Sequence, residues 1–283
     1  MNDKDLKNWY VANDKIYSAA FELTQNCNFA CRHCYCSEKN IAPLPFESWK
    51  IIIDKLFNAG ILYLSFTGGE ILTHKDFEKI YVYLKEKGFL ITLLTNGSLI
   101  NEKLIELFIE LPPKSISITL YGTNEKEYAD FTGNVENFKK VETALNLLKE
   151  NGVNFALRTL ATKTFYNSLL AGDFDKFAEK FNVPFRFDPI IFPKISGDKK
   201  PLEEILSVAE IIELEKNNSK RNSAWRKIIN EHAPFVWKCR AGINSLSIDH
   251  KGAASICGLY RKNSISLLEN ELDAVIKKIT ADT

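Results

Sequence analysis

Residues 16–36 read IYSAAFELTQNCNFACRHCYC, an apolar run followed at once by a segment crowded with cysteines. Ile16–Leu23 has the length and composition of a strand. The cysteine segment then leaves it as a loop. The same order repeats downstream. Leu62–Phe66 reads as a second strand ending at TGGE (67–70), Leu90–Leu94 as a third ending at TNG (95–97), and Ser115–Leu120 as a fourth ending at YG (121–122). Helices fill the gaps: Phe46–Asn58 stopped by Gly60, Lys75–Lys87 with Gly88 at its C′ position, and Glu102–Glu110 capped by Asn101. Asn137–Glu150 is helical, with Phe138, Val141, Leu145 and Leu148 on one face and a stop at Gly152. Val153–Leu160 gives a fifth strand, Leu169–Lys180 a helix and Phe185–Asp188 a sixth strand. Alternation of this kind predicts an α/β fold, a parallel sheet with helical crossovers rolled into a partial (β/α)6 barrel. In parallel barrels the loops at the strands' C-terminal ends build the active site. The cysteine loop, TGGE, TNG and YG should therefore meet at one mouth.

Composition narrows the class. Among 283 residues, 37 basic side chains face 36 acidic ones, for a net charge of +1. That balance gives no electrostatic case for a nucleic-acid partner. No apolar run approaches the ~20 residues that span a bilayer, and the opening MNDKDLKNWY holds no apolar signal-peptide core. The expectation is a cytoplasmic protein with no membrane partner. In a reducing compartment six cysteines do not make a disulfide framework. Four of them lie within 27–36, and such crowding reads as metal binding.

The spacing within CNFACRHC (27–34) is C-x3-C-x2-C. Three thiolates on one loop can ligate three irons of a cubane cluster and leave the fourth iron open. A structural zinc site wants four closed ligands, and Cys36 could supply the fourth beside Cys27, Cys31 and Cys34. A redox or structural cysteine group is a further reading.

C-x3-C-x2-C after the first strand, GGE after the second and TNG after the third together resemble the radical S-adenosylmethionine (SAM) superfamily, over residues 16–193. The resemblance implies a 4Fe–4S cluster held by Cys27, Cys31 and Cys34. It implies SAM chelated to the open iron and split on reduction into methionine and a 5′-deoxyadenosyl radical, which takes hydrogen from a substrate. Gly68, Gly69 and Glu70 would then meet the methionine ammonium. Thr119 would offer a hydroxyl to the SAM ribose, or be a plain strand threonine. Arg158, alternating outward in the fifth strand, would pair with the SAM carboxylate or a substrate acid, or sit at the barrel rim. His33 would lie near the adenine, or merely pack. Cys36 reads as a small buried hydrophobe. A flavodoxin- or ferredoxin-like reductant is the implied electron source.

After Pro193 the pattern changes. The expected organisation is an N-terminal extension (1–15), the barrel (16–193), a helical connector (194–231) and a small hairpin-plus-helix appendage (232–283). In the connector a helix should run from Leu202 to about Glu215, with a surface helix or solvated stretch over 217–231. In the appendage, Leu246–Ile248, a DHKG turn (249–252) and Ala254–Ile256 form the hairpin, and Leu267–Ile279 the helix. The Cys239-x17-Cys257 spacing around it resembles the start of SPASM/twitch domains, which carry one or two auxiliary iron–sulfur clusters. No cysteine follows Cys257, so an auxiliary cluster here would have two protein thiolates. A partly open cluster, a cluster-free appendage and a chain ending before its last ligands all stay open. The segment FDPIIFPKISGDKKPLEEILS (187–207) resembles peptide-modifying SPASM enzymes, which implies a ribosomally made peptide as substrate, crosslinked or epimerised. Oxidation of a small molecule or a tetrapyrrole side chain is the alternative, and a non-catalytic iron–sulfur or zinc scaffold the remote one.

Overall fold

A computed structural model describes residues 3–13, 15–231 and 241–280 of the chain. Helix α1 (Asp3–Ala12) precedes β1 (Ser18–Thr24), and strands then alternate with helices: α2 (Phe46–Asn58), β2 (Tyr63–Gly68), α3 (Phe77–Glu86), β3 (Leu90–Thr95), α4 (Glu102–Glu110) and β4 (Ser115–Thr119). Two helices, α5 (Glu125–Thr132) and α6 (Glu136–Glu150), lead to β5 (Phe155–Leu160), and two more, α7 (Tyr166–Leu170) and α8 (Asp173–Phe181), lead to β6 (Phe185–Asp188). The remainder is α9 (Val208–Asn217), α10 (Ser219–Glu231), β7 (Ser245–Ile248), β8 (Ala253–Ser255), β9 (Ile265–Ser266) and α11 (Leu272–Thr280).

Among the described residues the nine strands form one sheet in the order β6-β5-β4-β3-β2-β1-β7-β8-β9. β1 to β6 are parallel neighbours, as the alternation predicts. A seventh parallel strand was not expected. β7 lies along the free edge of β1, from Ser18↔Ser245 to Phe21↔Ile248, before β8 and β9 turn back antiparallel. Unpaired backbone on β1 is satisfied in this way. The appendage is therefore part of the barrel's sheet.

Side-chain alternation separates the two faces. Ile91 and Leu93, Ile116 and Ile118, and Phe155 and Leu157 are buried beneath the helices, where Ile52, Ile80, Leu104 and Leu145 pack with them. The intervening Thr92, Ser115, Ser117 and Ala156 line a space on the concave side. The packed core thus lies between sheet and helices, and these short side chains share the concave face with Leu94 and Phe185.

Several boundaries differ from the sequence reading for local reasons. The expected helix over Leu169–Lys180 is broken by Gly172 at φ +72°. The short helix α5 was not expected; Asn124 caps it by accepting from Glu127 N, and Gly133 ends it at φ +82°. The connector helix begins only at α9, where Ser207 and Glu210 form a capping box. Residues upstream, Lys200–Glu204, make a 3₁₀ turn with Pro201 in its first positions. The last helix starts at Leu272, because Ile265–Ser266 pairs as β9. Among the described residues no helix is long and apolar enough to cross a membrane.

Candidate active site

The four motif segments do meet at the strands' C-terminal ends. Where β2 leaves the sheet, Gly69 N donates to Thr24 O at 2.7 Å and Glu70 N to Asn26 O at 2.8 Å. A Cβ on Gly68 would stand 2.2 Å from Thr24 O, and one on Gly69 2.2 Å from Asn26 O; Gly68 also holds φ +137°. Only glycine lets these two backbones cross so closely.

Glu70, next along the chain, turns its side chain into the protein. It is fully buried. Its Oε1 accepts from Thr95 Oγ1 at 2.6 Å and Leu72 N at 3.1 Å, and its Oε2 from Asn96 N at 2.7 Å. The carboxylate ties GGE to the TNG turn beneath the cavity, and burial raises its pKa despite these three donors.

The cysteine loop is closed at its base by two amides. Gln25 Oε1 accepts from Ser37 N (3.1 Å) and Glu38 N (2.8 Å), while Asn26 Oδ1 accepts from Asn40 N (2.7 Å) and Asn26 Nδ2 donates to Ile41 O (3.0 Å). Cys27, Cys31 and Cys34 are half-buried on this loop. Burial pushes the Cys27 thiol up to about 11. Cys31 goes well above the ordinary thiol value through burial and then repulsion from Cys27 and Cys34. Two of the three neighbouring thiols thus resist ionisation, and a positively charged iron centre would remove both penalties. Cys36 is buried instead, with its Sγ 3.5 Å from Gly68 O. It also hydrogen-bonds Cys34, holding that thiol as the more acidic of the two. Among the described residues no three His, Cys, Asp or Glu converge as ligands of a single ion. A cubane asks for no such convergence, since each thiol takes its own iron. A zinc loop using Cys36 would need it.

His33, Gly68, Gly69, Thr119 and Arg158 line one cavity of ≈ 900 Å³, counting its open mouth. Arg158, expected to alternate outward, is in register with Thr119 on the concave face, and its Nε donates to Thr119 Oγ1 at 3.3 Å. The His33 ring stacks on Phe131 at 5.2 Å, with Tyr121 tilted at 5.8 Å. Burial, with Arg158 nearby, lowers His33 to about 4, so its imidazole is neutral. Its shielded Nδ1 has no hydrogen-bond partner in the protein. Asn96 and Tyr121, from the TNG and YG turns, also line the cavity, as does Asp188 at the end of β6, which was not placed there from the sequence. Its signal was its position at the end of a strand. Of the two appendage cysteines, Cys257 is half-buried, whereas Cys239, and so its distance from Cys257, lies outside the described residues.

A parallel partial barrel with three loop thiols beside a polar cavity at its strand ends defines an enzyme built around a cluster and a small cofactor. A family model, the radical SAM superfamily, matches residues 21–166, and the chain belongs to that superfamily. The family uses a 4Fe–4S cluster and SAM. Over 138 residues the chain is 33% identical to the antilisterial bacteriocin subtilosin biosynthesis protein AlbA of Bacillus subtilis, covering 48% of this chain and 31% of that one. Over 106 residues it is 38% identical to the S-adenosylmethionine-dependent nucleotide dehydratase of Selenomonas ruminantium, covering 36% and 39%. The chain thus spans well under half the length of these relatives. In fold it is similar to Streptococcus suis SuiB, solved with its precursor peptide SuiA, with a TM-score of 0.75 at 14% identity over 96% of this chain and 68% of that one.

Proposed function

We propose that this radical SAM enzyme modifies a ribosomally made peptide, with Cys27, Cys31 and Cys34 as the cluster ligands and the mouth cavity as the SAM site. When bound, the reduced cluster and SAM supply a 5′-deoxyadenosyl radical that takes a hydrogen atom from the substrate. Gly68 and Gly69 let the end of β2 cross the base of the cysteine loop, and both line the cavity there. Thr119 and Arg158 present a hydroxyl and a cation from neighbouring strands, suited to a ribose and a carboxylate. Neutral His33 borders the cavity and offers its ring to a heteroaromatic ligand. Glu70 acts through the TNG turn that it holds.

The observation that carries the peptide reading is the cavity's rim. Ile190 and Phe192 are 61% and 41% exposed there, beside Asp188 and Arg158. An apolar lip around a polar floor suits a side chain presented on an amide backbone. The names of AlbA and of the SuiB–SuiA complex support it. The test is anaerobic reconstitution, then SAM, a flavodoxin- or ferredoxin-like reductant and a panel of candidate ribosomal precursor peptides. Expected are 5′-deoxyadenosine and a peptide that has lost two hydrogens or gained solvent deuterium at an α-carbon. The identity to a nucleotide dehydratase favours a second reading, a small-molecule substrate. Turnover of a nucleotide or tetrapyrrole with the peptide left untouched would select it.

A further inference from the structure

Glu22 stands near the end of β1 between Phe21 and Leu23, and only 2% of it is exposed. A carboxylate in such a place destabilises the fold unless it is fully partnered. Its partners come from two directions. From the appendage, Arg261 spans it with Nη1 at 3.1 Å from Oε1 and Nη2 at 2.5 Å from Oε2, and His250 Nδ1 lies 2.9 Å from Oε1. From the barrel side, Gln25 Nε2 donates to Oε1 at 3.0 Å. Arg261 is itself aimed by a bond from its Nε to Gly258 O at 2.6 Å. Burial alone would raise Glu22, but the bonds from His250 and Arg261 hold it below the ordinary carboxylate range.

The same Gln25 accepts from Ser37 N and Glu38 N, the first residues after the last loop cysteine. His250 reaches Glu38 directly, with Nε2 at 3.1 Å from Oε2, and Lys251 Nζ lies 2.8 Å from that oxygen. Glu22 also fills the room that Gly68 leaves, since a Cβ there would be 3.3 Å from Glu22 Cγ. On the other side of Gly68, its carbonyl receives Tyr35 Oη at 3.4 Å and Cys36 Sγ at 3.5 Å. Carboxylate, glycine and loop end are thus in serial contact.

Docking the appendage does not require this arrangement. β7 is already paired along β1. Lys55 Nζ on α2 independently binds Leu267 O at 3.0 Å and Asn270 O at 2.9 Å, with Glu271 at 3.2 Å, and touches nothing in the cysteine loop. A buried charge network laid down in addition to these ties has its other end on the loop. We infer that the appendage positions the cysteine loop: His250 and Arg261 fix Glu22, and through Gln25 and Glu38 they fix the outgoing end of the segment carrying Cys27, Cys31 and Cys34.

This rests on the reading of those three cysteines as cluster ligands. Contacts that hold a ligand-bearing loop from behind set how tightly a metal group is held and how solvent reaches it. The experiment compares anaerobically reconstituted wild type with His250→Ala, Arg261→Met, the conservative His250→Gln and the control Lys55→Met. Readouts are iron release to bathophenanthroline, the EPR spectrum of the dithionite-reduced cluster, and the thermal midpoint. Expected is iron release roughly tenfold faster in His250→Ala and Arg261→Met, with an altered EPR signal and partial recovery in His250→Gln. Lys55→Met should lower the thermal midpoint while keeping wild-type release and spectrum. Should Arg261→Met fail to fold with Glu22 left unpaired, Glu22→Gln/Arg261→Met removes both charges and is expected to release iron as fast. Wild-type release in all loop-end variants, or equal acceleration by Lys55→Met, overturns the positioning role alone. Wild type that takes up no cluster overturns the cysteine reading beneath it.

Discussion

Alanine at Cys27, Cys31 or Cys34 leaves one iron of the proposed cluster without its thiolate, and each single variant is expected to lose SAM cleavage after anaerobic reconstitution. The measurement is 5′-deoxyadenosine formation on reduction, and cleavage that survives in any of the three would remove that residue from the ligand set. Glu70→Ala should act differently from a lost SAM contact. It strands the donors of Thr95, Asn96 and Leu72 in a dry site, at a cost on the order of 3 kcal/mol. Chemical denaturation should show that loss without SAM present, and an unchanged stability would return Glu70 to the cavity as a ligand. These two cases mark what the sequence discloses at this scale. The spacing of the cysteines is a local property and could be read directly. The partners of Glu70 lie on the next strand's turn, and no spacing rule says which way a strand-end carboxylate will point. Glu22 was missed for the same reason, although a lone carboxylate inside the apolar run FEL was a visible oddity.

Elements fail or hold by what their backbones must do. Gly69→Ala would put a Cβ 2.2 Å from Asn26 O and 2.7 Å from Gln25 O, both backbone atoms that cannot swing aside. The end of β2 and the base of the cysteine loop must then separate, so a lower thermal midpoint and poorer iron retention are expected together; normal values for both would contradict the crossing. The β1 network makes a pH-dependent contribution. Glu22 is held below its ordinary range in the folded state, so its stabilisation is complete above that range and is lost as pH falls through the lowered value. The difference in thermal midpoint between wild type and Glu22→Gln should therefore be largest near neutrality and shrink in acid; a difference that grows in acid would reverse the sign. Strand and helix identities were legible here because apolar period and strand-end glycines are strong signals. Helix α5 was not, since it is short, with Tyr128 and Phe131 as its buried apolar positions between the Asn124 cap and Gly133.

For the whole molecule, the order of six parallel strands followed from alternation alone, whereas the seventh did not. β7 pairs with the first strand from the far end of the chain, and nothing in either segment's composition names its partner. The appendage's metal content is the open quantity at this scale. If Cys239 and Cys257 hold an auxiliary cluster, iron should fall by about 4 Fe in Cys239→Ala/Cys257→Ala, with SAM cleavage retained and substrate turnover lost. Iron and sulfide analysis of reconstituted wild type and variant decides it, and equal iron in the two would leave those thiols without a cluster. The concave face carries a consequence of another kind. The close-packed layer lies on the helix side of the sheet, and Thr92, Ser115, Ser117 and Ala156 stand outside it, facing open space on the concave side. Selection can therefore rewrite the inside of the barrel without approaching the threshold at which the chain unfolds. New substrates become accessible by drift across a surface that folding scarcely constrains, and a lineage of such barrels can diversify in chemistry while its scaffold stands still.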